Sequence, residues 1–406
     1  MARMSSAAPP PFRIRSLGLS VYLPTFLFAV GQGAVIPILP LHATNIGATV
    51  AIASLIVALK NYGTMLFDIP AGMMVSRFGE RTAMALGTVA LVLVSVGAAL
   101  TQSLWALAGL VFVMGCTWSV WLLARLAYVS DAAPLEQRGR ALSLLGGTNR
   151  MGNFVGPFIG GVAATVWGFE SAFYLQALLS AAGAGAMFLL MDAGVGREET
   201  HGESAQHRFA SVLREHRGVF ATAGVAMMAV QALRAARQVI LPLWGARIGL
   251  DPAAIGAIVG ISFAIDMTLF YPVGVVMDRW GRKWVAIPCL TIMAIGTIMI
   301  PLTDSFVGLM LAGLISGFGN GLGSGIVMTL GADFSPPTGR GEFLGVWRLI
   351  SDVGTAGGPT LIGALTAAVS LGAASVVTGG LGLAGAAVMY FLVAEPLKRK
   401  PAAAST

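Results

Sequence analysis

Lys60, Asp68, Arg125, Arg150, Arg234, Arg237, Asp266, Arg348 and Asp352 are ionisable residues set inside long apolar stretches. A charge there costs several kcal/mol unless it is paired or hydrated, so each position is a candidate for function. Residues of these types can exchange protons and partners: a carboxylate that takes a proton releases the base it held. Counting inward at ~1.5 Å per residue places Asp68 level with Arg348, Asp352 one turn deeper, and Lys60 two turns beyond Asp68. A lysine stem can offset part of that gap. Arg150 and Asp266 share a depth of ~15 to 18 Å by the same rise.

The elements that carry these charges are membrane helices. Of the 406 residues 56% are hydrophobic and 11% charged, whereas soluble domains carry about 25% charged residues. A span needs ~20 apolar residues, and stretches that long follow one another at about 17–42, 49–76, 82–101, 104–128, 140–166, 171–192, 218–245, 252–277, 284–302, 306–331, 341–369 and 372–394. The 53 glycines read as close-packing material between helices. The first stretch is too long for a secretory leader and is read as an uncleaved helix. Cys116 and Cys289 fall inside stretches four and nine and offer neither a disulfide framework nor a metal spacing.

Basic residues orient such a chain. Of the 25 Lys and Arg, six lie in the stretches and Arg247 alone in the loops of one side; all the rest, such as Arg13, Arg138 and Lys400, lie on the other. Both termini are therefore expected in the cytoplasm. The expected segments are a leading stretch at 1–16, a six-helix bundle at 17–192, a linker at 193–217, a second bundle at 218–394 and a tail at 395–406. Basic residues are dispersed rather than gathered on one element, which argues against nucleic-acid binding. The three linker histidines, His201, His207 and His216, show no ligand spacing, so no metal site is expected.

The two bundles are copies. Adding 202 to a position recovers its counterpart without a gap: Ile38-Leu39-Pro40-Leu41 returns as Ile240-Leu241-Pro242-Leu243, Arg77 and Gly79 as Arg279 and Gly281, Asp131 as Asp333, and Gly152 and Gly156-Pro157 as Gly354 and Gly358-Pro359. Parallel repeats of this kind describe halves that rock about a central site.

The loop after the eighth stretch reads Gly274-Val-Val-Met-Asp278-Arg279-Trp-Gly281-Arg282-Lys283, and it resembles the G-x-x-x-D-R-x-G-R-K signature of the major facilitator superfamily. The copy after the second stretch keeps Gly72, Arg77, Gly79 and Arg81, but Ser76 and Glu80 replace the family's Asp and base. Gly152-x-x-x-Gly156-Pro157-x-x-Gly160 resembles the motif of that superfamily's antiporters, chiefly drug:proton exporters. Physically it offers either a kink at Pro157 or plain close packing. The resemblance spans helices 1 to 12 and implies an all-α membrane fold of two pseudo-symmetric six-helix bundles. A latch role follows for the loops, with Arg77 or Arg81 meeting Asp131, and Arg279 or Lys283 meeting Asp333; topology alone is the alternative.

In that fold helix 2 packs on helix 11 and helix 5 on helix 8. The resemblance then implies Asp68 with Arg348, Lys60 with or near Asp352, and Arg150 with Asp266, as coupling pairs or static ones. Helices 1, 4, 7 and 10 would line the cavity, with Gln32, Trp118, Trp121, Arg234, Arg237 and Asn320 as candidate contacts; the tryptophans could equally face lipid or pack. Arg125 is read as snorkelling to the cytoplasm. The family's arginine early in helix 4 is missing, with Phe112 near its place, and helices 1 and 4 hold no carboxylate. Asp266, Asp352 and Asp68 are the proton candidates.

The reading is a monomeric cell-membrane exporter of small amphipathic molecules, drugs or metabolites, driven by proton antiport, with no cofactor. A facilitator or importer of a small organic anion is the alternative, and a non-transporting membrane sensor the second. Without HExxH, P-loop or nucleophile elbow, an enzyme is not expected.

Overall fold

The computed structural model describes residues 18–190, 212–337 and 339–396. The leading segment 1–16, linker residues 193–211 and the tail from 397 lie outside them, so the linker's acidic run, His201 and His207 do too. Helices α1 (Leu23–Asn45), α2 (Val50–Phe78), α3 (Glu80–Leu100), α4 (Leu104–Ala132), α5 (Leu135–Trp167) and α6 (Glu170–Leu190) form the first half. The second half holds α7 (Val225–Arg247), α8 (Pro252–Trp280), α9 (Lys283–Met299), α10a (Phe306–Leu322), α10b (Ile326–Phe334), α11 (Arg340–Ala368) and α12 (Leu371–Phe391). A π-helical turn leads into each half's first helix, Gly18–Tyr22 into α1 and Phe220–Gly224 into α7. The described residues contain no strand. Among them nine helices are long and apolar enough to cross a membrane; α5, with Arg150, α6, and α11, with Arg348 and Asp352, are not counted among these.

One expected span is interrupted. The tenth stretch breaks at Gly323–Gly325, where Gly325 takes φ +80° before α10b begins. A left-handed backbone of this kind favours glycine, and non-helical backbone at this depth needs protein partners for its polar groups. It has one, since the Gly323 carbonyl accepts from Arg234 Nη2 at 2.7 Å.

The repeat extends to local stereochemistry. Thr49 and Asp251, 202 apart, cap the N-termini of α2 and α8 with their side chains, as Ser103 and Ser305 cap α4 and α10a. Gly79 and Gly281, at the turns of the two signature loops, both have positive φ, +78° and +113°. Packing repeats as well. A Cβ on Gly156 would run into the backbone of Val30 and Gly33, and one on Gly358 into that of Ala232, so α5 lies on α1 as α11 lies on α7. The antiporter-like glycines Gly152, Gly156 and Gly160 all face α1. They are a packing surface within one half, and α5 continues through Pro157 unbroken.

The halves meet along α2–α11 and α5–α8. At the end opposite the signature loops, Gly161 packs on Pro252 and Gly256, and its counterpart Gly363 packs on Ala51 and Leu55. Thr165 Oγ1 accepts from the Ala253 amide there at 3.0 Å. Two symmetry-related contacts thus draw the halves together at that end. Toward the loops, α4 and α10b make at most marginal contact with the opposite half.

Candidate functional site

Between the halves lies a cavity of about 370 Å³, lined by residues of α1, α2, α4, α5, α7, α8 and α11. Gln32, Lys60, Trp118, Arg234, Arg348 and Asp352 are on its wall. A larger groove, about 640 Å³, runs between α5 and α6 among Phe158, Val162, Trp167 and Tyr174. Its lining is almost wholly apolar and it lies within one half, so it suits acyl chains rather than polar recognition.

Three of the six sequence-derived cavity contacts line the cavity, namely Gln32, Trp118 and Arg234, and three do not. Trp121 is 2% exposed and stacks on Phe28 with centroids 3.9 Å apart. Arg237 is buried, with Nη1 donating to Ser262 Oγ at 2.9 Å and its guanidinium over the Phe263 ring. Asn320 stands behind the wall, where it accepts from Arg234 Nε at 2.6 Å and donates to Asp266 Oδ2 at 2.6 Å. Reasoning from the sequence did not single out Asn61, Thr64, Asn153 or Thr355, which also line the cavity; small polar residues at helical spacing carry no signal of which face they share.

Two polar networks cross the boundary between halves. In the first, Arg150 Nη1 on α5 meets Asp266 Oδ1 on α8 at 3.2 Å, and Ser324 Oγ, in the α10 break, donates to the same oxygen at 3.2 Å. Asn320 carries this network to Arg234, whose Nη1 donates to Gln231 Oε1 at 3.0 Å. Asp266 is 9% exposed, and a buried carboxylate needs such partners to stay charged. In the second, Arg348 Nη2 on α11 meets Asp68 Oδ2 on α2 at 2.6 Å. Ser119 donates to the other Asp68 oxygen, and Arg348 Nε also reaches Asp352 Oδ2 at 3.6 Å. Asp352 is the counterpart of Arg150 in the repeat, so the two networks occupy related places with opposite charge.

For Lys60, expected with or near Asp352, only nearness holds. It shares the cavity with Asp352 but makes no ion pair, and no hydrogen bond from its ammonium is found among the described residues. Asp352 is served by Arg348 instead. Arg125 departs from expectation. It is 5% exposed, its guanidinium lies 4.1 Å from the Trp121 ring centre, and its Nε and Nη1 are buried without acceptors, so it does not snorkel.

In the second signature loop the base that meets Asp333 is Arg282, neither Arg279 nor Lys283. Arg282 Nε lies 2.6 Å from Asp333 Oδ2, and its Nη1 reaches the Met277 carbonyl at 2.7 Å and Asp278 at 3.6 Å. Arg279 is exposed, and Lys283 Nζ donates to the Tyr390 carbonyl at 2.7 Å. Glu395 accepts from the Arg282 and Lys283 amides at 2.9 Å, capping α9. The counterpart of Arg282 is Glu80, which explains why the first loop cannot copy this arrangement. There Arg77 is exposed beside Phe78, while Arg81 and Asp131 are both engaged.

Two all-α bundles related by a repeat and enclosing a charged cavity are the architecture of a membrane transporter. A model of the Major Facilitator Superfamily matches residues 21–240 and 223–406, and the chain belongs to that superfamily. It is 20% identical over 340 residues to an uncharacterized MFS-type transporter of Methanocaldococcus jannaschii, covering 82% of this chain and 87% of that one. It is 25% identical over 167 residues to the multidrug resistance protein MdtG of Enterobacter lignolyticus, covering 40% of each chain. Among solved structures, a POT family transporter in complex with a thioalcohol-conjugated peptide superposes with a TM-score of 0.79 at 14% identity, over 93% of this chain and 95% of that one. That likeness concerns the fold alone.

Proposed function

We propose that this multi-pass membrane transporter exports small amphipathic molecules, drugs or metabolites, by proton antiport through alternating access. The observation that carries the proposal is the Arg150–Asp266 pair, which ties the two halves together and continues through Asn320 to Arg234 on the cavity wall. A proton on Asp266 removes the charge that holds Arg150, so the cross-half tie loosens, and the loss is felt at Arg234. Substrate at Arg234 acts back on the same carboxylate, because coupling between sites is reciprocal. Asp68 and Asp352, sharing Arg348, form the second place where a proton could act. The resemblance of MdtG supports the direction of transport.

In this reading the basic loops and both termini face the cytoplasm, and the segments at 17–192 and 218–394 are the moving halves. The chain acts as a monomer in the bilayer. Arg282–Asp333 joins the α8–α9 loop to α10b within one half, so it stiffens the second bundle as it moves.

The test is flux in proteoliposomes with an imposed pH gradient. Gradient-driven movement in the wild type, abolished in Asp266→Asn or Asp352→Asn, is the expected result. Flux that ignores the gradient and survives both changes would make the chain a facilitator with structural charge pairs.

A further inference from the structure

The charges around the cavity do not balance, and on its wall the imbalance falls on one residue. The lining and the two polar networks that reach it hold four bases, Lys60, Arg150, Arg234 and Arg348, and three acids, Asp68, Asp266 and Asp352, while Arg237 and Arg125 lie buried behind the wall with no ion pair among the described residues. Arg348 serves Asp68 and Asp352. Arg150 serves Asp266 directly, and Arg234 reaches it through Asn320. Lys60 is the base left over. Its counterpart in the second half is Ser262, which accepts from Arg237, whereas the counterpart of Arg237 is Val35. One half thus buries its cation behind the wall, and the other presents a lysine to the cavity.

The donor inventory agrees with the charge. A lysine ammonium has three N–H donors and a guanidinium five. Arg234 uses Nε, Nη1 and Nη2 on Asn320, Gln231 and Gly323, which leaves one N–H on each terminal nitrogen. Lys60 and Arg234 therefore both present free donors to the cavity, and an acceptor-only group answers both. Trp118 and Phe263 supply apolar wall in the same cavity.

We infer that the substrate is a monoanion, an aryl or otherwise apolar carboxylate whose carboxyl group is held by Lys60 and Arg234 with its apolar part against Trp118 and Phe263. The inference rests on the central cavity being the transport site. One negative charge offsets that of Lys60 and lowers the positive excess of the site, since a desolvated charge is costly without a partner. A cationic substrate would add to the excess.

Binding separates this inference from the proposed antiport. Calorimetry on the purified protein in detergent would compare naphthalene-2-acetate, its amide and 2-naphthylethylamine, which share an apolar body and differ in charge. The carboxylate binds most tightly, and Lys60→Gln weakens it about tenfold or more, the loss of a charge-assisted contact. Lys60→Arg retains most of the affinity, and neither change affects the amide. Equal affinity for all three probes, preference for the amine, failure of the carboxylate to bind at millimolar concentration, or indifference to Lys60→Gln would overturn the assignment. Gradient-driven flux of the amine, lost in Asp266→Asn, would leave antiport standing and sink the anionic substrate. Tight carboxylate binding with gradient-independent flux would do the reverse.

Discussion

Arg234 and Asp266 share one amide: Asn320 accepts from the guanidinium and donates to the carboxylate, both at 2.6 Å. Only this orientation of the amide satisfies a donor on one side and an acceptor on the other. Asn320 is therefore a directional link between the cavity wall and the cross-half ion pair, and its substitution should separate binding from protonation. In the wild type, affinity for substrate should change about fivefold or more over the pH series, a typical coupling between sites. Asn320→Leu should bind substrate with an affinity nearly independent of pH. Binding isotherms at a series of pH values would measure this; an unchanged pH dependence would show that coupling takes another route.

Closure at the end away from the signature loops is a packing contact, so holding it shut should stop the cycle. Thr165→Cys with Ala253→Cys, joined by a short bifunctional maleimide, fixes α5 to α8 where Thr165 Oγ1 now meets the Ala253 amide. Flux should vanish on cross-linking while either single variant remains active after the same treatment. The native Cys116 and Cys289 are buried and should not compete for the reagent. Undiminished flux in the cross-linked protein would argue against rocking of the halves.

The glycine face of α5 makes a graded prediction. Gly156→Val would force backbone of α1 and α5 apart, an overpacking cost of about 3 kcal/mol, read as a lower melting temperature in detergent. Gly146→Ala, on the same helix with open space around it, should lie within about 0.5 kcal/mol of the wild type or slightly above it. If both behave alike, the face is not a packing surface.

Arg282 and Arg279 should differ despite sitting side by side in the signature. Arg282→Gln leaves Asp333 without its base and the Met277 carbonyl without its donor. Breaking such a partly buried pair should cost about 2 kcal/mol. Arg279→Gln, at an exposed position, should cost about 0.5 kcal/mol or less. Thermal melts of the two purified variants compare them directly; equal losses would remove Arg282 from its structural role.

Much of the architecture was legible in the sequence because one-dimensional features suffice for it. Apolar length sets a span, and the 202-residue offset sets the repeat, down to the caps at Thr49 and Asp251. Rise along a helix sets depth, and with the helix neighbours that the family resemblance implies it anticipated the Asp68–Arg348 and Arg150–Asp266 contacts. Direction around a helix could not be, since it depends on what packs on each face. Arg234 and Arg237 sit less than one turn apart, ~4.5 Å along the axis, and differ by about 60° in azimuth, yet one faces the cavity and the other is sealed against Ser262 and Phe263. The same blindness hid the burial of Trp121 and Arg125, and it placed Asn320 on the wall rather than behind it. Arg282 was passed over for Arg279 and Lys283 because a loop's turn, set here by Gly281 at positive φ, decides which consecutive base points inward. Sequence thus determined the spans, their repeat and the depth of each charge. Tertiary packing decided which of the charges turn toward a partner and which toward the cavity or the core, because a buried ion pair forms only where two helices present those faces to each other at the same level.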